Sequence, residues 1–247
     1  MNLKTFFTNN PKVALAFSGG VDSAYLMYAA KLYGADIKAY YVKSDFQPQF
    51  EYDDAIRLSK ELGVEMKVIN LDVLDDERIK ANPKDRCYFC KNRIFSAILE
   101  EAKKDGYSIL LDGTNASDEE GDRPGMRALR ELQVKSPLRE AGLTKDEIRQ
   151  LSKESGLFTW NKPAYACLAT RICTGETISK EKLNATENSE NFLFSLGFKD
   201  FRVRLKDGVA KLQFKEEQLE KAMQLRKVIV EELKKYYSSV TLDLEVR

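Results

Sequence analysis

In the first half of the chain, short β-rich apolar runs alternate with longer amphipathic stretches. Lys12 to Phe17, Ile37 to Val42, Glu65 to Leu71 and Tyr107 to Leu111 have the length and composition of strands, and segments beginning near Asp22, Phe50 and Lys91 carry helical periodicity. That alternation predicts an α/β fold with a doubly wound, mostly parallel sheet. Thr144-Lys145-Asp146-Glu147 is a capping box, in which Thr144 accepts from the backbone N–H three residues on and Glu147 reaches back. It opens a helix to about Ser155 and closes a first domain, residues 1–156. Residues 157–178 are irregular and hold Trp160, Pro163, Cys167 and Arg171, a composition that suits an active-site loop better than a plain linker. From Ser179 the pattern is a helix to about Leu196, strands around Phe201 to Leu205 and Val209 to Phe214, a long helix from about Glu216 to Tyr237, and a last strand, Val240 to Val246. Thr241 to Val246 alternates at period two, as a half-buried strand does. Residues 179–247 therefore read as a small C-terminal α+β domain.

Composition narrows the chemistry. The 247 residues are 43% apolar, enough for a core, and 40 basic side chains against 39 acidic ones leave a formal charge of +1. That balance argues against a nucleic-acid partner and for small-molecule chemistry. Apolar runs such as Val13 to Phe17 fall far short of the roughly 20 residues that cross a bilayer. No membrane segment or secretory signal is expected, and a cytoplasmic location follows by default. The chain has no histidine, which removes Ser-His, Cys-His and His-metal arrangements. In a cytoplasmic protein its four cysteines, Cys87, Cys90, Cys167 and Cys173, read as metal, cluster or reactive thiols rather than disulfides.

Ser18-Gly19-Gly20-Val21-Asp22-Ser23 lies between an apolar strand and a helix beginning at Ala24. Two glycines let the backbone approach an anion, and the N–H groups and dipole of the first helical turn favour its charge. Ser18 and Ser23 add hydroxyl donors, while Asp22 can cap the helix or hold Mg²⁺. No lysine follows the glycines, so this is not a Walker A loop; it suits the grip of a departing pyrophosphate rather than γ-phosphoryl transfer. The six residues resemble the PP-loop superfamily, whose members cleave ATP between the α and β phosphates to adenylate an oxygen. A carboxylate nucleophile is ionised at neutral pH, so the step needs no general base. Asp112-Gly113-Thr114-Asn115 follows a later strand and falls where open α/β sheets bind ligands, which makes Gly113, Thr114 and Asn115 candidate cofactor contacts.

Arg86-Cys87-Tyr88-Phe89-Cys90-Lys91 brings two thiols within one turn, a clamp for a soft metal or an iron–sulfur cluster with basic neighbours. Four thiolates can form a structural zinc site, whereas three leave one iron of a cubane cluster open to an exogenous sulfide. Unligated buried thiols are the alternative to both.

Several separated stretches then agree in order with one family. Asn82 to Lys91, Asp112 to Ala116 with Gly121-Asp122-Arg123-Pro124-Gly125, Ser136-Pro137-Leu138, and Trp160 to Arg171 resemble the LarE family across nearly the whole chain. The resemblance implies a pyridinium-3,5-biscarboxylic acid mononucleotide sulfurtransferase acting in nickel-pincer nucleotide synthesis. It implies ATP and Mg²⁺ as cofactors, a pyridinium carboxylate mononucleotide as substrate, a sulfide source and a homo-oligomer. Cys167 matches the sulfur-handling cysteine of the family. In one branch that cysteine gives up its own sulfur; in the other, three cysteines hold a [4Fe-4S] cluster, and Cys87, Cys90 and Cys167 together point to the cluster, with Cys173 spare. Arg123, Arg127, Arg171 and Arg202 are candidates for gripping phosphate and carboxylate. Glu190 matches an acidic metal residue of the family, but Gln213 stands where a second carboxylate is expected. Trp160 and Tyr165 read as packing residues. A PP-loop tRNA thiolase is the competing reading, against which stand the even charge and the lack of a second close cysteine pair for a zinc ribbon. A histidine-free chain cannot carry a Cys-His glutaminase, which disfavours an amidotransferase, and a nucleotide-binding sensor would release no pyrophosphate.

Overall fold

The computed structural model describes residues 2–118 and 124–246. Two compact units emerge, one of residues 1–73 with 85–162, the other of residues 74–84 with 163–247.

In the first unit, strands β1 (Lys12–Ala16), β2 (Asp36–Lys43), β3 (Met66–Asn70) and β4 (Leu110–Leu111) form a sheet in the order β3-β2-β1-β4. All its pairings are parallel, with Ala16 opposite Tyr40 and Leu15 opposite Leu111. Successive side chains of a strand leave on opposite faces, so both faces must be covered. Val13, Leu15, Ile37 and Tyr41 join a core with helices Leu3–Asn9, Val21–Leu32 and Lys145–Glu154, while Ala14, Tyr40, Val42 and Leu110 pack with helix Arg86–Lys104. This is the doubly wound parallel α/β architecture expected. The order of the strands reverses between β1 and β4, and the carboxyl ends of those two strands carry the loops of interest.

Several boundaries differ from the expectation. The helix expected near Lys91 begins at Arg86, so both Cys87 and Cys90 lie on it. Its buried apolar positions, Phe95, Ile98 and Ala102, begin more than two turns after that start, and periodicity alone places the start too far along. Helices Leu3–Asn9 and Pro124–Glu131 carry no strong sequence signal and add to the first unit.

The second unit has a three-stranded sheet, β5 (Arg202–Lys206), β6 (Val209–Gln213) and β7 (Ser239–Leu242), in which β6 pairs antiparallel with β5 and parallel with β7. Helix Lys180–Ser195 and the buried rings of Phe198, Phe201 and Phe214 build its core, with the exposed Phe194 packed on Phe201, ring centroids being 4.7–6.4 Å apart. Asn82 ties residues 74–84 into this unit: its side-chain amide donates to the carbonyls of Ile172, Cys173 and Glu176 at 2.8–3.3 Å. The long helix expected from Glu216 to Tyr237 is two, Glu216–Gln224 and Arg226–Leu233, broken at Leu225 where ψ is 6°. Ala222, Ile229 and Leu233 stay buried on both sides of the break, so the apolar period runs through it. The last strand ends at Leu242 rather than Val246.

Candidate active site

After β1 the chain turns sharply at Gly19, whose φ of +74° is a left-handed conformation that favours glycine. A Cβ there would also lie 3.0 Å from the Glu51 carbonyl oxygen. Gly20 is the N-cap of helix Val21–Leu32, and no side chain caps it. Of the two roles open to Asp22, capping is therefore not the one adopted. The loop is braced by its own hydroxyls: Ser18 Oγ and Ser23 Oγ are 3.1 Å apart, Ser23 Oγ donates to the Gly20 carbonyl at 3.2 Å, and the Gly20 N–H reaches Ser18 Oγ at 3.4 Å.

The loop after β4 packs directly onto this structure. A Cβ on Gly113 would stand 2.9 Å from the Ser23 backbone nitrogen and 3.3 Å from Asp22 Cβ, so only glycine lets the two backbones meet. Asn115, 3% exposed, donates through Nδ2 to Asp22 Oδ1 at 3.3 Å. Thr114 donates its hydroxyl to Asp112, whose other oxygen accepts from Ser136 Oγ at 2.6 Å. The structure thus joins Ser18 to Ser23 with Gly113 and Asn115 at the carboxyl ends of β1 and β4, the switch point at which open α/β sheets bind ligands. Arg123 lies outside the described residues.

Two residues that motif reading passed over bring positive charge here. Lys145 Nζ sits 2.5 Å from Asp22 Oδ2, and Lys162 Nζ is 2.7 Å from both Glu51 Oε2 and Asp54 Oδ2 and 3.4 Å from the Gly19 carbonyl. Burial holds the Glu51 carboxyl above the usual carboxylate range, with Lys162 pulling it down. Neither lysine had a signal in the local sequence, since Asp146 and Glu147 already supply the acidic first turn of the helix that Lys145 opens.

Cys87 and Cys90 lie one turn apart on helix Arg86–Lys104, Cys87 exposed and Cys90 half-buried. A guanidinium nitrogen of Arg86 is 3.9 Å from Cys87 Sγ. Arg127 is exposed and stacks over the Tyr88 ring at 4.0 Å.

In the second unit Cys167 opens a short 3-10 turn, Leu168–Arg171, and its carbonyl accepts from the Thr170 N–H at 2.9 Å and the Thr170 hydroxyl at 2.8 Å. Guanidinium groups secure the neighbouring carbonyls: Arg171 on Ala166 at 2.9 Å, Arg202 on Ala164 at 2.8 Å and Arg204 on Thr170 at 2.5 Å. Arg171 is 1% exposed, and its Nε and Nη2 bind the two oxygens of Glu190 at 2.8 and 3.0 Å. Burial pulls its pKa down, but the hydrogen bonds and charge of Glu190 outweigh that and hold it up. Glu190 also accepts from the Tyr165 hydroxyl and the Val203 N–H. Burial and the Glu190 charge push the Tyr165 hydroxyl far above its ordinary range. In this arrangement Arg171 grips a carboxylate of the protein itself, and Glu190 is an ion-pair centre rather than an open metal ligand. Gln213, the residue standing where a carboxylate was expected, binds Arg204 and Asp243.

Among the described residues, no group of three or more cysteine, aspartate or glutamate side chains is placed to hold a metal ion. Cys87 and Cys90 belong to one unit and Cys167 and Cys173 to the other, so neither unit alone supplies three thiolates. Nor, among the described residues, is any helix long and apolar enough to cross a membrane.

A family model described as queuosine biosynthesis protein QueC matches residues 12–86, the stretch that contains the phosphate loop. The chain is 34% identical, over 83% of its length and 75% of the relative, to pyridinium-3,5-bisthiocarboxylic acid mononucleotide synthase of Lactiplantibacillus plantarum. It belongs to the LarE family of sulfurtransferases. An uncharacterized protein of Synechocystis sp. is 34% identical over 99% of this chain and 92% of its own length, so that likeness runs through both units. The tRNA-specific 2-thiouridylase MnmA of Pseudothermotoga lettingae is 29% identical over 61% of this chain and 54% of its own, a more distant likeness.

Proposed function

We propose that this enzyme adenylates a carboxylate of pyridinium-3,5-biscarboxylic acid mononucleotide and exchanges the adenylate for sulfur. One observation carries the reading. A single LarE-family chain holds both a glycine-built anion cradle at a sheet switch point and a cysteine fixed at the head of a braced turn. In the first half-reaction a carboxylate oxygen attacks the α-phosphorus of ATP, and the bond to the bridging oxygen of pyrophosphate breaks. The N–H groups at the start of helix Val21–Leu32 and the hydroxyls of Ser18 and Ser23 receive the pyrophosphate charge, and Asp22 would hold Mg²⁺, which would offset that charge. Gly113, Thr114 and Asn115 complete the cradle, and Arg123 is assigned to the substrate phosphate. Nothing in this step requires a proton acceptor, in keeping with the absence of histidine.

In the second half-reaction a sulfur nucleophile attacks the carbonyl carbon, the C–O bond to AMP breaks, and a thiocarboxylate remains. Cys167 is the sulfur-handling residue, and Arg171 acts on it indirectly by fixing the Ala166 carbonyl. The ligand set proposed for a [4Fe-4S] cluster is Cys87, Cys90 and Cys167, and a bound cluster would supply an iron that carries exogenous sulfide. The thiol donors suit it, and the support is the helical turn that puts Cys87 and Cys90 on one face.

The test is an anaerobic reaction with ATP, Mg²⁺, sulfide and the pyridinium mononucleotide, followed by mass spectrometry of product and protein. We expect equal AMP and pyrophosphate, a product with sulfur in place of oxygen, and unchanged protein mass. Broad visible absorbance lost in Cys87→Ala supports the cluster; stoichiometric zinc in colourless protein overturns it. A protein lighter by one H₂S at Cys167 assigns the sulfur to that residue instead. Thiolation of tRNA in place of the mononucleotide would transfer the reading to the thiouridylases.

A further inference from the structure

The phosphate loop has no cation of its own, although the anion it is built to receive carries several negative charges. We infer that Lys145 is the loop's mobile counter-charge, held on Asp22 until Asp22 takes up Mg²⁺ and then passing to the departing pyrophosphate. This rests on the adenylation reading given above.

Three observations carry it. The Lys145 ammonium contacts Asp22, whose other carboxylate oxygen is held by Asn115, so it lies beside the residue that would bind the metal. Its backbone is fixed, and its side chain reaches Asp22 from a partly exposed position. The Lys145 N–H donates to Ser117 Oγ at 2.9 Å, and the Thr144 to Glu147 capping box locks the turn, yet the side chain is 32% exposed. An ammonium on four methylenes can change partner from such an anchor without moving the helix.

Lys162 supplies the contrast. Its ammonium is shared between two carboxylates and only 13% of the side chain is exposed, so it is committed to bracing the loop from behind. Among the described residues Lys145 has one carboxylate partner, Asp22, and that carboxylate has a second use. Once Mg²⁺ claims Asp22, the Lys145 ammonium loses that contact, and an arriving phosphate replaces it. The charge on pyrophosphate grows as the α–β bond breaks, so the contact strengthens toward the transition state and acts on kcat more than on KM.

The experiment compares wild type, Lys145→Gln and Lys145→Arg in the full chain. Three quantities are measured: binding of ATP·Mg²⁺ by calorimetry, pyrophosphate release with the pyridinium mononucleotide, and inhibition by inorganic pyrophosphate with Mg²⁺. For Lys145→Gln we expect pyrophosphate release to fall by about 100-fold in kcat with KM for ATP changed by no more than a few-fold. Inhibition by pyrophosphate should weaken by at least about ten-fold, and Lys145→Arg should recover most of both effects. Wild-type kcat and pyrophosphate inhibition in Lys145→Gln would overturn the role of Lys145 and leave adenylation standing. A wild type that neither binds ATP·Mg²⁺ nor releases pyrophosphate would overturn both. Loss of activity with unchanged pyrophosphate inhibition would make Lys145 a structural partner of Asp22 alone.

Discussion

The phosphate loop and the Cys167 turn are both short backbone segments leading into a helical turn, yet they are shaped by opposite means. Ser18 to Ser23 takes its form from glycine: a positive φ at Gly19, the bare backbone of Gly113 against Ser23, and hydroxyls five residues apart. The Cys167 turn takes its form from long side chains. Arg171, Arg202 and Arg204 reach its carbonyls, and Glu190 neutralises the buried Arg171. The difference follows from what each must do. An anion cradle needs unobstructed N–H groups, which side chains would cover. The sulfur-handling role proposed for Cys167 calls for a rigid mount, and guanidinium forks on the turn's carbonyls supply one.

The sharpest way to break this comparison is to remove the buried carboxylate. Glu190→Ala leaves Arg171 without its partner inside the second unit and deprives the Val203 N–H of an acceptor. Losing one partner of a buried ion pair costs about 3–5 kcal/mol. We expect a correspondingly large drop in the urea midpoint, followed by fluorescence and circular dichroism together. The double variant Arg171→Met with Glu190→Leu removes both charges and should regain most of that stability. It still lacks the bond to the Ala166 carbonyl, so the turn loosens and alkylation of Cys167 speeds up. A double variant as unstable as the single one would mean that the ion pair is not what holds this unit together.

A smaller effect is expected in the glycine-built loop. Gly113→Ala forces a methyl group against the Ser23 backbone, and overpacking of this kind costs about 1–3 kcal/mol. Because the atom met is the first-turn nitrogen of the phosphate helix, ATP·Mg²⁺ binding should weaken along with stability. Gly20→Ala is the control within the same loop, since its φ is −80° and its Cβ would meet only Ser18 Oγ at 3.5 Å. It should cost no more than about 1 kcal/mol, the difference between glycine and alanine caps. Equal losses in the two variants, read by urea titration, would show that the Gly113 contact is not specific.

The same contrast explains what could be read in advance. β1, the glycine loop and the capping box at Thr144 depend on neighbouring residues, and the structure has them where the sequence places them. The parallel sheet followed from the strand and helix rhythm. Lys162 with Glu51 and Lys145 with Asp22 are joined across more than 100 positions, and no local periodicity reports such a pair. Arg171 was legible as important but not as buried, because a guanidinium that binds phosphate and one that binds an internal glutamate look alike in sequence. The break at Leu225 was hidden for the converse reason: a single ψ angle changed while the apolar face continued.

The smallest effect, and the one that most finely separates the two regions, concerns pH. Glu51 braces the phosphate loop through Lys162, and burial raises its carboxyl above the ordinary value of 4.5 despite the lysine. A folded-state pKa above the unfolded one means that the folded protein holds the proton more tightly. Its contribution to folding is therefore fully present below 4.5 and is lost as pH rises through the raised folded value. Glu51→Gln abolishes that titration while leaving Lys162 paired with Asp54. The stability of wild type relative to Glu51→Gln should accordingly improve as pH is lowered from neutral toward 4.5. The difference in urea midpoint across that range checks it. A difference that stays flat would mean that Lys162 cancels the burial of Glu51, and the loop would then rest on a balanced ion pair as the Cys167 turn does.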